Sequence, residues 1–562
     1  MGVTASCRRR DAASDTETDS QQQQHERRMS GVGDEIEAVI CKEEDLPQDG
    51  MKSFEMGEGK VLVVHHKGQL SAIGTKCSHY GAPLEKGTLC EGHVRCPWHG
   101  ACFNVTTGDI EDFPGLDSVP KYDIHVAEGQ VRVRASKALL ATEKRTKEMA
   151  KRDPQNSTAL VVIGGGAAGA SCVERLRQEG FTGQVVMITQ EPHLPYDRPK
   201  LSKAMHLTPD KIALRTNQFY EDGDIEILMG VSASKVNTDE KSITLSTGEK
   251  VTYDKLFIAT GGKPRKLGIP GGDLAGVFVV RTPEDANAVA ADAAGKHVVV
   301  VGTSFIGMEA AAYLATDNRA GSVSVIGNTT VPFERSLGSG VGNRIQRLFE
   351  EHQVKFYNNV GVKEFTEEDG KLKGVVLESG ETVAADIVVL GVGVVPNTDF
   401  LASSNIPRDD RGFVPVNEFL ETSIPGVYCG GDVASFPLML EDGNRVNIGH
   451  WQVALGHGRT AALNMLGHTS PLASVPFFWT VLFGKSLRYT GYGKYDDIIL
   501  GGDLESLSFI AYYCHGDRVV ALASLGKDPA AANYAEMLHQ GKFLTKAEVT
   551  ADGEMALKIK CY

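Results

Sequence analysis

Leu160-Val161-Val162-Ile163-Gly164-Gly165-Gly166-Ala167-Ala168-Gly169 decides how most of this chain is read. An apolar run of strand length meets a G-x-G-x-x-G turn, and a helical run, Ala170–Glu179, follows at once. A second apolar run, Gln184–Thr189, leads to Glu191, 22 residues beyond Gly169. Strand, glycine turn, helix, strand and acid, in that order, form the dinucleotide-binding fingerprint. Gly164, Gly166 and Gly169 let the backbone approach a pyrophosphate at a helix N-terminus, where unpaired N–H groups and the helix dipole favour negative charge. The Glu191 carboxylate is placed to accept from ribose hydroxyls.

Working toward the C-terminus, the pattern repeats at His297–Val301, followed by Gly302-Thr303-Ser304-Phe305-Ile306-Gly307, a helical Met308–Leu314 and a strand at Ser322–Ile326. The match is weaker. Ser304 replaces the middle glycine, and Gly327 stands where an acid is expected. Nicotinamide binding at Gly302 and Gly307 competes with a Rossmann-like fold that no longer holds a dinucleotide, and the choice between NADH and NADPH stays open.

Two such units in tandem, the second inserted in the first, resemble the pyridine-nucleotide–disulfide oxidoreductase superfamily from about Thr158 onward. Ala259-Thr260-Gly261 and Gly391-Val392-Gly393 resemble its two crossings past the flavin, and Gly431-Asp432 its G-D turn, which implies that Asp432 contacts the flavin ribityl and phosphates. Reductases of this superfamily that work through a disulfide carry a C-x₄-C pair, whereas this region reads Pro195-Tyr196-Asp197-Arg198-Pro199-Lys200-Leu201-Ser202-Lys203. With Cys172 and Cys429 each alone, dithiol relay chemistry is excluded. That stretch resembles the ferredoxin reductases of oxygenase systems and the apoptosis-inducing factors. The resemblance implies bound FAD contacted by Arg198, a Lys203–Glu309 pair beside the isoalloxazine, and aromatic residues near the flavin edge at Trp451 and Trp479. For Trp479 a plain core role is an equal alternative. Physically, an ammonium near the flavin ring stabilises the charge that builds as hydride arrives.

Working toward the N-terminus, Ala135–Arg152 is rich in Ala, Lys and Glu and reads as a helical linker. Ahead of it, short strand-like runs with Gly/Pro turns indicate a small all-β domain. It contains Cys77-Ser78-His79 and, after 16 intervening residues, Cys96-Pro97-Trp98-His99. Two thiolates and two imidazoles are the ligand set of a Rieske [2Fe–2S] centre. A structural Cys₂His₂ zinc site is the competing reading, disfavoured by the tight C-x-H spacing. The stretch resembles the Rieske domains of ferredoxins and aromatic-ring oxygenases. Ala82 and Trp98 stand where the respiratory type carries an extra disulfide, which implies a potential toward the low end of the class.

The chain has 562 residues and a net charge of −14, which argues against nucleic acid as a partner. Ten cysteines without regular spacing indicate no secreted disulfide framework, and no apolar run reaches the length of a membrane span. Met1-Gly2-Val3-Thr4-Ala5-Ser6 fits the N-myristoylation pattern. Cys7 offers a palmitoylation site and Arg8-Arg9-Arg10 a basic patch, so three signals for a membrane anchor coincide. A short polar tail in which Gly2 and Ser6 fall by chance is the competing reading.

The expected architecture is multidomain. Residues 1–33 form a disordered, lipid-anchor-like tail; 34–134 an all-β Rieske domain; 135–157 a helical linker. Residues 158–280 and 395–474 form an α/β FAD domain, 281–394 the NAD(P) domain inserted in it, and 475–562 a C-terminal α+β domain. The resemblance makes that last domain a homodimer contact. The expected function is NAD(P)H oxidation through FAD to the fused cluster and on to an unidentified acceptor. The alternative is a redox-sensing, pro-apoptotic flavoprotein in which turnover is incidental. Localisation is expected to be cytoplasmic and membrane-associated, with mitochondrial association implied by the family.

Overall fold

Val61 and Val63 face one hydrophobic core while Leu62 and Val64 face another, which is why the strand Gly59–His66 is apolar on both faces. It belongs to a six-stranded antiparallel sheet in the spatial order Glu35–Lys42, Gln130–Ser136, Lys121–Ala127, Gln69–Gly74, Gly59–His66, Gly50–Met56. One face closes the sheet's own core. The other joins a core that runs on into the flavin domain. A second sheet of four short strands, Thr88–Cys90, His93–Arg95, Cys102–Asn104 and Ile110–Asp112, is inserted after Gln69–Gly74 and carries the two ligand loops at its end. This computed structural model describes residues 35–559; the lipidation motif with Gly2 and Cys7, the glutamine tract and Cys561 lie outside the described residues.

The two dinucleotide units each have five parallel strands. The first runs Ile225–Met229, Gln184–Thr189, Ala159–Ile163, Lys255–Ile258, Val427–Cys429; the second runs Val277–Val279, Ile387–Leu390, His297–Val301, Ser322–Ile326, Lys355–Tyr357. The central strands are buried on both faces, hence their unbroken apolar runs. Gly262–Pro264 and Val394–Pro396 pair antiparallel where the chain leaves the first unit and returns to it. Val277–Val279, the edge strand of the second sheet, precedes residue 281, so this unit begins earlier than its expected start. Helix Ala167–Gln178 packs against helix Trp451–Met465 at a distance set by Gly458, where a Cβ would stand 2.2 Å from the Ala168 carbonyl oxygen. Five antiparallel strands and the helices Ala530–His539 and Lys546–Ala551 complete the C-terminal domain.

The helical linker is corrected. Only Lys137–Leu140 is helical, with the Ser136 side chain accepting from the Leu139 N–H. From there to Thr158 the chain is an extended strap. Arg145 exchanges backbone hydrogen bonds with Ser118 in the first domain, and Ala150 and Asp153 donate to Arg177 and Thr182 in the flavin domain. Partners on two domains satisfy the backbone, and tertiary pairing overrides helix propensity.

Candidate functional site

The flavin-side cavity, about 720 Å³, is lined by Gly164, Gly166, Glu191, Arg198, Asp432 and Trp451. Ala259, Thr260 and Gly261 line it too. Gly164 has φ +123°, and a Cβ there would stand 2.2 Å from the Ala259 carbonyl oxygen, so the strand end and the crossing loop touch backbone to backbone. Glu191 accepts from the Tyr196 hydroxyl at 2.5 Å and from Arg198 at 2.9 Å, which leaves lone pairs for a ribose. Burial pushes the Asp432 pKa up against the pull of Arg281 and Arg198. Arg281 was not singled out in the sequence. It carries no motif, yet it lines both this cavity and the adjoining one.

The adjoining cavity, about 820 Å³, shares Arg198, Arg281 and Trp451 with the first and holds Gly302, Lys203 and Glu309. The second fingerprint reproduces the first. Gly164 N–H donates to Ile188 O at 2.8 Å and Gly302 N–H donates to Ile326 O at 2.9 Å, each partner lying 24 residues on. Cβ atoms on Gly169 and Gly307 would stand 1.8 and 2.2 Å from the carbonyl oxygens of Gly164 and Gly302. Ser304 matches Gly166, whose backbone is extended and where a Cβ meets nothing within 4 Å, so the missing middle glycine costs the fold little. The same register puts Gly327 opposite Thr189, and Thr329, not Gly327, opposite Glu191.

Lys203 Nζ stands 2.7 Å from Glu309 Oε2. Glu309 also accepts from Ser202, and from Thr480 at 2.7 Å, so two domains grip a buried carboxylate carried by a third. Ser202 and Thr480 went unnoticed in the sequence. Only the alternation along Phe477–Leu482, which turns Thr480 inward next to Trp479, hints at the second.

In each ligand loop the cysteine N–H donates to a carbonyl five residues on (Cys77 to Ala82, Cys96 to Ala101), and a glycine N–H four residues on returns to the cysteine carbonyl (Gly81, Gly100). Both glycines have positive φ, +75° and +77°. The Cys77 and Cys96 thiols are buried and hydrogen-bonded to each other, which with burial raises the Cys77 pKa well above the thiol range. Burial opposes ionisation of Cys96 as well, but its bonds from Cys77 and from the His99 and Trp98 N–H groups lower its pKa. Burial depresses the pKa of His79 to about 3 and of His99 to about 2, so both rings are neutral, as metal ligands must be. The rings are 5.0 Å apart, and His79 Nδ1 is buried without a hydrogen-bond partner. Among the described residues no three such groups converge on one ion. A pair of thiols beside a pair of imidazoles, with no three of them converging on one point, is the arrangement that two irons with two ligands each require. The residues present fit a Rieske cluster.

Trp479 joins the two sites. It lines the larger cavity, and its ring lies 4.4 Å from that of His99 and 5.6 Å from that of His79. The domains around it are pinned. Arg95, 2% exposed, donates to Glu536, to Asp112 at 3.0 Å and to Gly100 O at 2.8 Å. Arg215 bridges Asp117 and Glu174, Tyr80 donates to Asp197 at 2.6 Å, and Arg488 donates to Trp98 O at 3.0 Å. A Cβ on Gly100 would stand 2.9 Å from the Phe477 ring. Cys172 and Cys429 are buried, and burial raises both thiols.

Residues 158–458 match the pyridine nucleotide-disulphide oxidoreductase family, 37–123 the Rieske [2Fe-2S] domain and 477–560 the reductase C-terminal domain. The chain is 48% identical to apoptosis-inducing factor 3 of Homo sapiens over 92% of its length and 86% of that protein's. It is 32% identical to rhodocoxin reductase of Rhodococcus erythropolis over 71% of this chain and 94% of the relative. The structure of a covalent putidaredoxin reductase–putidaredoxin complex superposes with a TM-score of 0.68 at 28% identity, covering 72% of this chain and 98% of that one.

Proposed function

The chain belongs to the pyridine nucleotide-disulphide oxidoreductase family, as an NAD(P)H-dependent flavin oxidoreductase with a fused Rieske [2Fe–2S] domain, and from that premise we propose that it delivers electrons from NAD(P)H through its flavin site to its own cluster site, and from there to a separate one-electron acceptor. Bound FAD supplies the exchange of a two-electron hydride for single electrons, and a bound cluster supplies a one-electron store. One observation carries the reading: Trp479 lines the nicotinamide–flavin cavity and meets His99 ring to ring.

The chain's own residues divide the work. Lys203 holds a positive charge in the larger cavity, where negative charge builds as hydride is received, and Glu309 fixes its position. Arg198, Arg281 and the glycine turns meet the diphosphate, and Glu191 meets the ribose. Cys77, Cys96, His79 and His99 hold the cluster. The N–H bonds to both sulfurs favour the added negative charge of reduction.

Anaerobic titration with NADH and NADPH, following flavin bleaching and the reduced-cluster EPR signal together, tests the wiring. Bleaching without the EPR signal refutes it. Lys203→Ala is expected to slow flavin reduction by tenfold or more, on the order of one lost charge-stabilising donor.

A second reading comes from the name borne by the 48% identical relative: cofactor state sets partner choice in cell death, with turnover incidental. Rapid steady-state NAD(P)H consumption with a one-electron dye excludes it; stoichiometric consumption supports it. We also propose myristate on Gly2 and palmitate on Cys7. Incorporation of an alkynyl myristate that is lost in Gly2→Ala is the expected result. Among the described residues no helix is long and apolar enough to cross a membrane. The homodimer contact assigned to the C-terminal domain is checked by light scattering.

A further inference from the structure

We infer that the nicotinamide site is built for a 2′-phosphorylated dinucleotide, with Arg335 as the counter-charge and Thr329 in the place of the ribose-binding acid; this rests on the NAD(P)H reading above. The register of the two units is the starting point. Thr329 lies three residues past Ile326, as Glu191 lies three past Ile188, and both reference carbonyls accept from the first glycine of their fingerprint. An acid at that position accepts from the 2′-hydroxyl and repels a 2′-phosphate, whereas an arginine nearby accommodates the phosphate.

The residues around Thr329 remove the repulsion and supply the attraction. Gly327 and Asn328 carry no charge, and Thr329 spends its hydroxyl on Val331 O at 2.8 Å and on Thr303 at 3.0 Å. Glu334, a carboxylate of the same cavity, is turned back on its own loop, accepting from the Thr330 N–H at 2.9 Å and the Thr330 hydroxyl at 2.6 Å. Arg335 lines the same cavity, is exposed and makes no ion pair within 4 Å among the described residues, although its charge helps hold the neighbouring Glu334 ionised. Glu309, the other carboxylate of this cavity, is committed to Lys203. A free guanidinium beside an acid-free ribose position suits a phosphomonoester better than a vicinal diol.

The test compares ligands on the FAD-loaded, full-length protein. By calorimetry, adenosine 2′,5′-bisphosphate is expected to bind about tenfold more tightly than 5′-AMP, the scale of one added charge pair, and NADPH to bleach the flavin at least as efficiently as NADH. Arg335→Ala is expected to lower the NADPH/NADH ratio of kcat/KM by about tenfold, and Thr329→Glu to lower it by at least as much, through like-charge repulsion. Equal binding of the two nucleotides, or a tenfold preference for NADH in the native chain, overturns the inference without needing any variant to fold. Bleaching by NADH alone overturns only this inference; bleaching by neither overturns the nicotinamide reading with it.

Discussion

Where the flavin unit sets Thr189 over Gly165, the nicotinamide unit sets Thr303 over Gly327. In both, one threonine side chain fills the gap between the fingerprint loop and the end of the next strand, and the facing residue must be glycine. A Cβ on Gly165 would stand 2.7 Å from Thr189 Oγ1, and one on Gly327 would stand 2.3 Å from Thr303 Cγ2. The two copies thus conserve a volume and not a residue. That explains why the second fingerprint looks degraded in one dimension and intact in three: Gly327 is the complement of Thr303, not a lost acid.

The most damaging way to break this correspondence is at the glycine both units share. Gly169→Ala drives a methyl against the Gly164 carbonyl and Gly307→Ala does the same at Gly302. Each is expected to destabilise its own unit by roughly 3 kcal/mol or more. Purified Gly169→Ala should lack flavin, while Gly307→Ala should keep flavin and fail to oxidise NAD(P)H. Equal flavin content in the two would show that the units are not independent.

The reciprocal packing predicts a smaller, reversible effect. Gly327→Thr alone is expected to cost about 1–3 kcal/mol by overpacking, and the double variant Gly327→Thr/Thr303→Gly to recover most of it. Additive losses in thermal denaturation would refute the complementarity.

Acid separates the units next. His457, buried in the flavin unit, accepts from the Gly431 N–H at 3.0 Å and so holds the turn that carries Asp432. Burial lowers its pKa to about 3 from 6.5. Because the folded value is depressed, the unfolded chain binds the proton first. The stabilisation is therefore complete above pH 6.5 and is lost progressively as pH falls toward 3, at up to about 1.4 kcal/mol per unit. Flavin release measured by fluorescence should rise below pH 6, and His457→Asn should flatten that slope.

The smallest effect belongs to Gly166→Ser, which copies Ser304 into the flavin unit. With nothing within 4 Å of its Cβ, it is expected to change stability by less than about 0.5 kcal/mol. A large loss of flavin would mean that the middle glycine serves the ligand and not the fold.

The parallel sheets and both fingerprints were legible because they are written in contiguous residues. The strands Gln184–Thr189 and His297–Val301 carry unbroken apolar runs, Ser322–Ile326 one interrupted only by the buried Ser324, and all three form as read. The two cysteines and two histidines that the structure brings together stand in the sequence as two pairs at short spacing, and were proposed as ligands for that reason. What escaped detection depends on partners hundreds of residues away: Arg95 with Glu536, Thr480 with Glu309, Arg281 between two cavities. The strap misled for a related reason, since its local helix propensity is real but its backbone hydrogen bonds go to Ser118, Arg177 and Thr182. The short strands Thr88–Cys90 and His93–Arg95 were missed because three residues carry too little periodicity to detect.

The ties of Arg95, Arg215 and Tyr80 have a kinetic corollary. A reductase that meets a free ferredoxin must find it by diffusion, at a rate that scales with its concentration and falls as ionic strength screens the attraction. Under the wiring proposed above, the second carrier would be held beside the first at a fixed effective molarity. Handover between them should be first order, indifferent to dilution and nearly indifferent to salt, leaving the encounter with the outside acceptor as the one step that crowding or electrolyte can tune.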